Sequence, residues 1–116
     1  GKGGSIVNLS SRAAKYGSPG EYVDYAASKA AIDTLTIGLA REVAEEGIRV
    51  NAVRPGFIDT EIHQSGGEPD RMERVRPLVP MKRVGQAEEV ADEIMWLLSD
   101  KASHTTGTIL DVSGGR

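Results

Sequence analysis

Between the apolar run Ile6–Leu9 and the alternating run Ile48–Val53, the sequence has a helical period, and this β-α-β succession constrains the fold more than any other feature. From Tyr25 to Glu46 the residues Ile32, Leu35, Leu39 and Val43 follow an i, i+3, i+7, i+11 spacing, one stripe of a 3.6-residue period, and Gly47 is placed to end it. At 1.5 Å per residue, such a helix is on the order of 30 Å long. A helix of that length between two strands carries the chain back across the sheet, so the strands it joins are predicted to be parallel. Parallel sheets need helices on both faces, which points to the α/β class.

The rest of the chain extends the pattern. Ile6–Leu9 opens into the polar Ser10-Ser11-Arg12, as a buried strand does when it delivers a loop to a site. Gly17, Pro19 and Gly20 mark residues 12–21 as a loop. Ile48–Val53 stops at Pro55-Gly56, a strand ending in a turn. Residues 59–85, rich in Gly, Pro and charge, predict an irregular, partly helical excursion over the surface, of the kind that forms lids. Glu88–Ser99 places Val90, Ala91, Ile94, Met95, Leu97 and Leu98 on one broad helical face behind acidic residues that favour a helix N-terminus. Thr108–Val112 is a last short strand before Gly114-Gly115. The order predicts a doubly wound parallel sheet of three strands and two main helices, one partial domain over residues 1–116. Strand one would be an exposed edge, so a further segment upstream is expected.

Composition narrows the function classes. A formal net charge of −3 gives no electrostatic attraction for nucleic acid or an anionic membrane. No apolar run approaches the ~20 residues of a membrane helix. The chain has no cysteine, so neither disulfide nor thiolate chemistry enters, and the cytoplasm is the default compartment. His63 and His104 lie in no metal-ligand spacing, so no metal is predicted.

The chemistry rests on Tyr25 and Lys29. A free phenol, with a pKa of ~10, is ionised about once in a thousand molecules at pH 7, so a tyrosine that trades protons with an alcohol or carbonyl needs a cation beside it. Lys29 follows Tyr25 by four residues, which on a helix puts both side chains on one face. Tyr16 and Tyr22 have no such lysine. Ser11, at the end of strand one, can hydrogen-bond a substrate oxygen and its developing alkoxide, and Ser10 is the alternative because the loop to Tyr25 can vary by a residue.

The Tyr-Lys pair alone is a weak signal; its ordered setting is a strong one. Ile6-Val7-Asn8-Leu9-Ser10-Ser11, Tyr25-Ala26-Ala27-Ser28-Lys29, Arg49-Val50-Asn51-Ala52-Val53-Arg54-Pro55-Gly56 and Gly114-Gly115 occur in succession along essentially the whole chain. This set resembles the C-terminal half of the short-chain dehydrogenase/reductase family, most closely its bacterial sugar-dehydrogenase-like and 3-oxoacyl-carrier-protein-reductase-like members. The resemblance implies an NAD- or NADP-dependent oxidoreductase that interconverts a secondary alcohol and a ketone. Ser11, Tyr25 and Lys29 would be catalytic, with Tyr25 and Lys29 also contacting the cofactor and Lys29 holding the nicotinamide ribose. Pro55 and Gly56 would form the turn beside the nicotinamide, Ile58 would meet its carboxamide through the backbone, and Thr60 would reach the pyrophosphate. The Gly-rich pyrophosphate turn and a further catalytic Asn would lie upstream, as would the residues that tell NAD from NADP. Gly1–Gly4 is no substitute, because it precedes a strand instead of following one. The resemblance also implies a homodimer or tetramer packed through the long helix. The competing expectation is a half-length chain, catalytically inert, that acts only by self-association or partner binding.

Overall fold

Four consecutive residues, Val50 to Val53, are fully buried, and the molecule is arranged around the strand they belong to. The computed structural model describes residues 3–17, 19–20, 23–59 and 71–116. Strand β1 (Gly4–Leu9) leads through a single turn, α1 (Ala13–Tyr16), to the long helix α2 (Val23–Val43). A 3-10 turn over Ala44–Glu46 and Gly47 close that helix, and β2 (Ile48–Pro55) follows. After β3 (Ile58–Asp59) come α3 (Arg71–Val75), β4 (Gly85–Gln86), α4 (Ala87–Leu98) and β5 (Ile109–Val112).

The main sheet has the order β1-β2-β5, and both pairings are parallel, with Ile6 opposite Val50 and Val53 opposite Leu110. This is the α/β arrangement the succession of elements predicts. The central place of β2 explains its burial, since a strand with neighbours on both sides and helices on both faces has no solvent face. Side chains alternate across a strand, and their partners identify the helices. Asn8, Ser10 and Arg54 reach α2, whereas Ser5 and Arg49 reach the Leu97 carbonyl of α4. The two helices therefore cover opposite faces.

Several local expectations are corrected. The stripe Ile32, Leu35, Leu39, Val43 faces the core only in part: Ile32, Leu39 and Val43 are half-buried, Leu35 is 60% exposed, and the fully buried residues of α2 are Ala26, Thr36 and Ala40. Small residues let the helix backbone approach β2 closely, and the larger apolar side chains are left on the flanks. The broad apolar face read on α4 likewise narrows to the half-buried Val90 and Ile94 and the fully buried Leu97, with Ala91, Met95 and Leu98 exposed. Residues 13–16 form a helical turn inside the predicted loop, because the Ser11 hydroxyl accepts from the Ala13 N–H at 3.1 Å and starts it. The excursion is anchored at both ends. Strands β3 and β4 pair in parallel, and Val75 and Val79 are buried. Two-residue strands carry no readable period, so this small sheet leaves no trace in the sequence.

Candidate active site

The parallel ladder between β1 and β2 runs on past the end of β1. Ser10 N–H donates to the Val53 carbonyl at 2.8 Å and Arg12 N–H to the Pro55 carbonyl at 3.0 Å, so Ser11 is held between two backbone anchors. The two serines differ in environment. Ser10 is buried, and its hydroxyl donates to the Lys29 carbonyl at 3.3 Å. Ser11 is half-buried, and its Oγ accepts from Ala13. A hydroxyl has one proton and two lone pairs, so this contact leaves the Ser11 proton available to donate.

Helix α2 brings Tyr25 and Lys29 to the same end of the sheet. The Lys29 ammonium donates to the Leu9 carbonyl at 3.1 Å, and its Nζ lies 5.6 Å from the centroid of the Tyr25 ring. Tyr25 is 46% exposed. Further along, the Thr36 hydroxyl accepts from Asn8 Nδ2 at 3.0 Å and donates to the Ile32 carbonyl at 2.8 Å, fixing the helix against β1. Asn51 serves the opposite face: its amide donates to the Thr105 carbonyl and accepts from Thr108 N–H, both at 3.0 Å. Both asparagines are thus structural.

Pro55 ends β2, and Gly56 N–H donates to the Val112 carbonyl at 3.0 Å. A Cβ on Gly56 would lie 3.0 Å from that of Ser113, so this turn packs directly on the end of β5. Ile58 sits in β3, opposite Gly85. Thr60, His63 and the lid stretch 60–70 lie outside the described residues. Among the described residues no group of three or more His, Cys, Asp or Glu side chains could hold a metal ion, and no helix is long and apolar enough to cross a membrane.

Sequence reasoning missed a chain of four charges beside the serine loop. Arg12, only 7% exposed, pairs with Asp111 at 2.9 Å; Arg54 pairs with Asp111 at 2.6 Å and with Asp33 at 3.5 Å. Arg12 also donates to the Tyr16 hydroxyl at 3.0 Å and to the Arg116 carbonyl, with its guanidinium 5.0 Å from the Tyr16 ring centroid. The bond to Asp111 holds the Arg54 pKa above its ordinary value. Burial is the largest single influence on Asp111 and pushes it up, but the bonds from Arg54 and Arg12 together outweigh it and leave the carboxyl below the usual range. Only part of the signal was local: Asp111 is a charge inside the otherwise apolar Ile109–Val112 run, where an unpaired ion is costly to bury, but nothing nearby in the sequence names its partners. A groove of about 520 Å³ opens beside the network, lined among others by Arg12, Lys15, Arg83, Asp111 and Gly114.

Comparison with known proteins completes the description. The sequence model of the family described as "Enoyl-(Acyl carrier protein) reductase" matches residues 1–116. The chain is 68% identical over 116 residues to "Uncharacterized oxidoreductase YgfF" of Escherichia coli K12, covering 100% of this chain and 47% of that protein. It is 45% identical over 114 residues to a 3-oxoacyl-[acyl-carrier-protein] reductase of Thermotoga maritima, covering 98% of this chain and 46% of the relative. The crystal structure of 3-oxoacyl-[acyl-carrier protein] reductase from Brucella melitensis superimposes with a TM-score of 0.85 at 44% identity, over 96% of this chain and 41% of that one. The chain thus spans about half the length of the relatives it matches.

Proposed function

The chain belongs to the short-chain dehydrogenase/reductase family of oxidoreductases, and on that premise we propose that it is the catalytic half of an NAD- or NADP-dependent enzyme that interconverts a secondary alcohol and a ketone. The observation that carries the reading is the Lys29 ammonium, tethered to Leu9 and 5.6 Å from the Tyr25 ring centroid. In this reading Tyr25 takes a proton from an alcohol in one direction and returns it to a forming alkoxide in the other, with the Lys29 ammonium held on the same helix face. Ser11 donates its free proton to the same substrate oxygen and stabilises the charge that develops on it. The nicotinamide, when bound, supplies the partner for hydride transfer.

The residues present fit one end of that cofactor. Lys29 and the Pro55-Gly56 turn stand at the C-terminal edge of the strands, where ligands of open α/β sheets bind, and Ile58 and Thr60 follow that turn. The Gly-rich cradle for the pyrophosphate belongs to a preceding βα unit. The apolar side chains that α2 leaves exposed, Val23, Leu35 and Ile37 among them, support packing of this helix in a homodimer or tetramer. A cysteine-free chain suits the reducing cytoplasm. The substrate is a small alcohol or carbonyl compound, with the segment from His63 to Pro80 shaping the choice.

The test is nicotinamide fluorescence titration with NADH and NADPH on protein whose length is established by intact mass. Tight binding by a species near twice 12.4 kDa, with turnover lost on Tyr25→Phe, supports the reading. A 12.4 kDa species that binds neither nucleotide overturns it and leaves the inert, self-associating chain as the function.

A further inference from the structure

We propose that the charge chain Asp33–Arg54–Asp111–Arg12 is a positioning device that sets the Ser11 loop against the helix carrying Tyr25 and Lys29. The inference rests on the proposed function, because it concerns how the two parts of that site are kept in register.

Each member stands on a different element. Asp33 lies on α2, one helical turn past Lys29 and two past Tyr25; Arg54 is near the end of β2; Asp111 is in β5; Arg12 directly follows Ser11. The charges alternate in sign along the chain, with contacts of 3.5, 2.6 and 2.9 Å. The Arg12, Arg54 and Asp33 side chains are 9%, 18% and 14% exposed and that of Asp111 is 35% exposed, so salt screens the Asp33–Arg54 contact far less than a surface pair and the two Asp111 contacts to an intermediate degree. Adjacent Cα atoms are about 3.8 Å apart, so a displacement of Arg12 is passed on to Ser11. Tyr25 and Ser11 must meet one substrate oxygen, yet they sit on separate pieces of backbone; Arg54 of β2 holds α2 directly through Asp33 and reaches the Ser11 loop through Asp111 and Arg12.

The identity of Arg12 fits this role. Its Nη1 engages Asp111 while its Nη2 engages Tyr16 and the Arg116 carbonyl, a set of directions that a planar fork satisfies and a lysine does not. The anchor therefore fixes the orientation of the loop as well as its distance. None of the four residues needs to touch substrate. A site held this way loses turnover when the anchor shifts, because a misplacement of about 1 Å can cost about 100-fold.

The experiment compares Arg12→Met, Asp111→Asn and Asp111→Glu with the unaltered enzyme at its native length and with its nucleotide. Arg12→Met is the primary variant, since Asp111 keeps Arg54 and no carboxylate is left unpaired. The expected result is a kcat about 100-fold lower for Arg12→Met and Asp111→Asn, with KM for the nucleotide within about twofold. Asp111→Glu should recover most of that loss. Amide hydrogen exchange should quicken at Ala13–Gly17 and stay unchanged in α4. An unaltered kcat in an active enzyme overturns this inference alone, as does exchange that quickens equally in α4, which is the mark of a merely stabilising network. An unaltered enzyme with no turnover overturns the proposed function and, with it, the catalytic role assigned here.

Discussion

Lys29 Nζ donates to the Leu9 carbonyl oxygen at 3.1 Å, so the ammonium beside Tyr25 is fixed by the last residue of β1. The same bond aligns the helix and satisfies a strand-end carbonyl that has run out of sheet. Lys29→Met keeps the length of the side chain and removes the charge. It should lower kcat/KM by about 10²- to 10⁴-fold, the range over which a positioned acid or base contributes. Lys29→Arg should fall between the two, because it restores charge without the point geometry of an ammonium. Steady-state kinetics of the full-length enzyme decide it, and a Lys29→Met variant with normal turnover would remove the cation from the mechanism.

Tyr25→Phe separates chemistry from packing. The ring stays under Lys29 and only the hydroxyl goes. At 46% exposure, the substitution should change folding stability by no more than about 1 kcal/mol. Turnover should drop below detection while nucleotide affinity is retained. Parallel thermal melts and cofactor titrations make the comparison, and loss of both together would mean that Tyr25 is structural.

The anchoring of α2 on β1 depends on a buried hydroxyl. Thr36 is fully buried and serves both Asn8 and the Ile32 carbonyl, so Thr36→Val keeps the shape and leaves the Asn8 amide short of a partner. The expected cost is about 1–3 kcal/mol, read as a lower denaturant midpoint at constant slope. Thr36→Ser, which keeps the hydroxyl, should lose less. Equal losses would mean that the methyl group matters and the hydrogen bonds do not.

How far the sequence foretold these features depends on whether the signal was local. The order of strands and long helices was legible because each has its own period, and the end of β1 could be read as a delivery point because Ser10-Ser11 follows an apolar run. The buried side of α2 was legible only in part, since Ile32, Leu39 and Val43 are half-buried. Its core residues are Ala26, Thr36 and Ala40, which hydrophobicity ranks below Leu35, and only the nearness of β2 makes small residues the right ones. The Asp33–Arg54–Asp111–Arg12 chain was hidden for another reason. Its members are separated by up to 99 residues, and which charges meet is decided by the parallel register that sets Arg54 opposite Asp111.

Acid stability should carry the signature of two depressed carboxyls. The Arg83 guanidinium, with help from the Gln86 N–H, holds Glu89 at about 2, and Asp111 is also below its ordinary value. A carboxyl whose folded pKa lies below its unfolded one stabilises the fold above the unfolded value and loses that contribution as pH falls towards the folded value. Melting temperature should therefore decline between the ordinary Glu value of 4.5 and about 2. Glu89→Gln should flatten part of that decline. Because both members of the Arg83–Glu89 pair are exposed, its share should also shrink in high salt, whereas the contribution of Asp111, whose partners Arg12 and Arg54 are only 9% and 18% exposed, should shrink less. An acid limb unchanged by Glu89→Gln would show that the exposed pair adds nothing to stability.

Gly114 sits where β5 turns back over the excursion, and its carbonyl accepts from Met81 N–H at 3.0 Å. Two separate costs meet there. Its φ of 65° is left-handed, which for an L-residue costs about 1–2 kcal/mol. A Cβ would also lie 2.6 Å from Val79 Cγ1, and Val79 is buried and has little room to turn away. Gly114→Ala should therefore cost about 2–4 kcal/mol in denaturant unfolding. Gly17 supplies the control, since its φ is 72° but nothing lies within 4 Å of an added Cβ. Gly17→Ala should cost only the backbone share, about 1–2 kcal/mol. The difference between the two variants measures how firmly Val79 holds the end of the excursion against β5. Equal costs would mean that Val79 yields, and that the packing between residues 79 and 114 is looser than their contact distance implies.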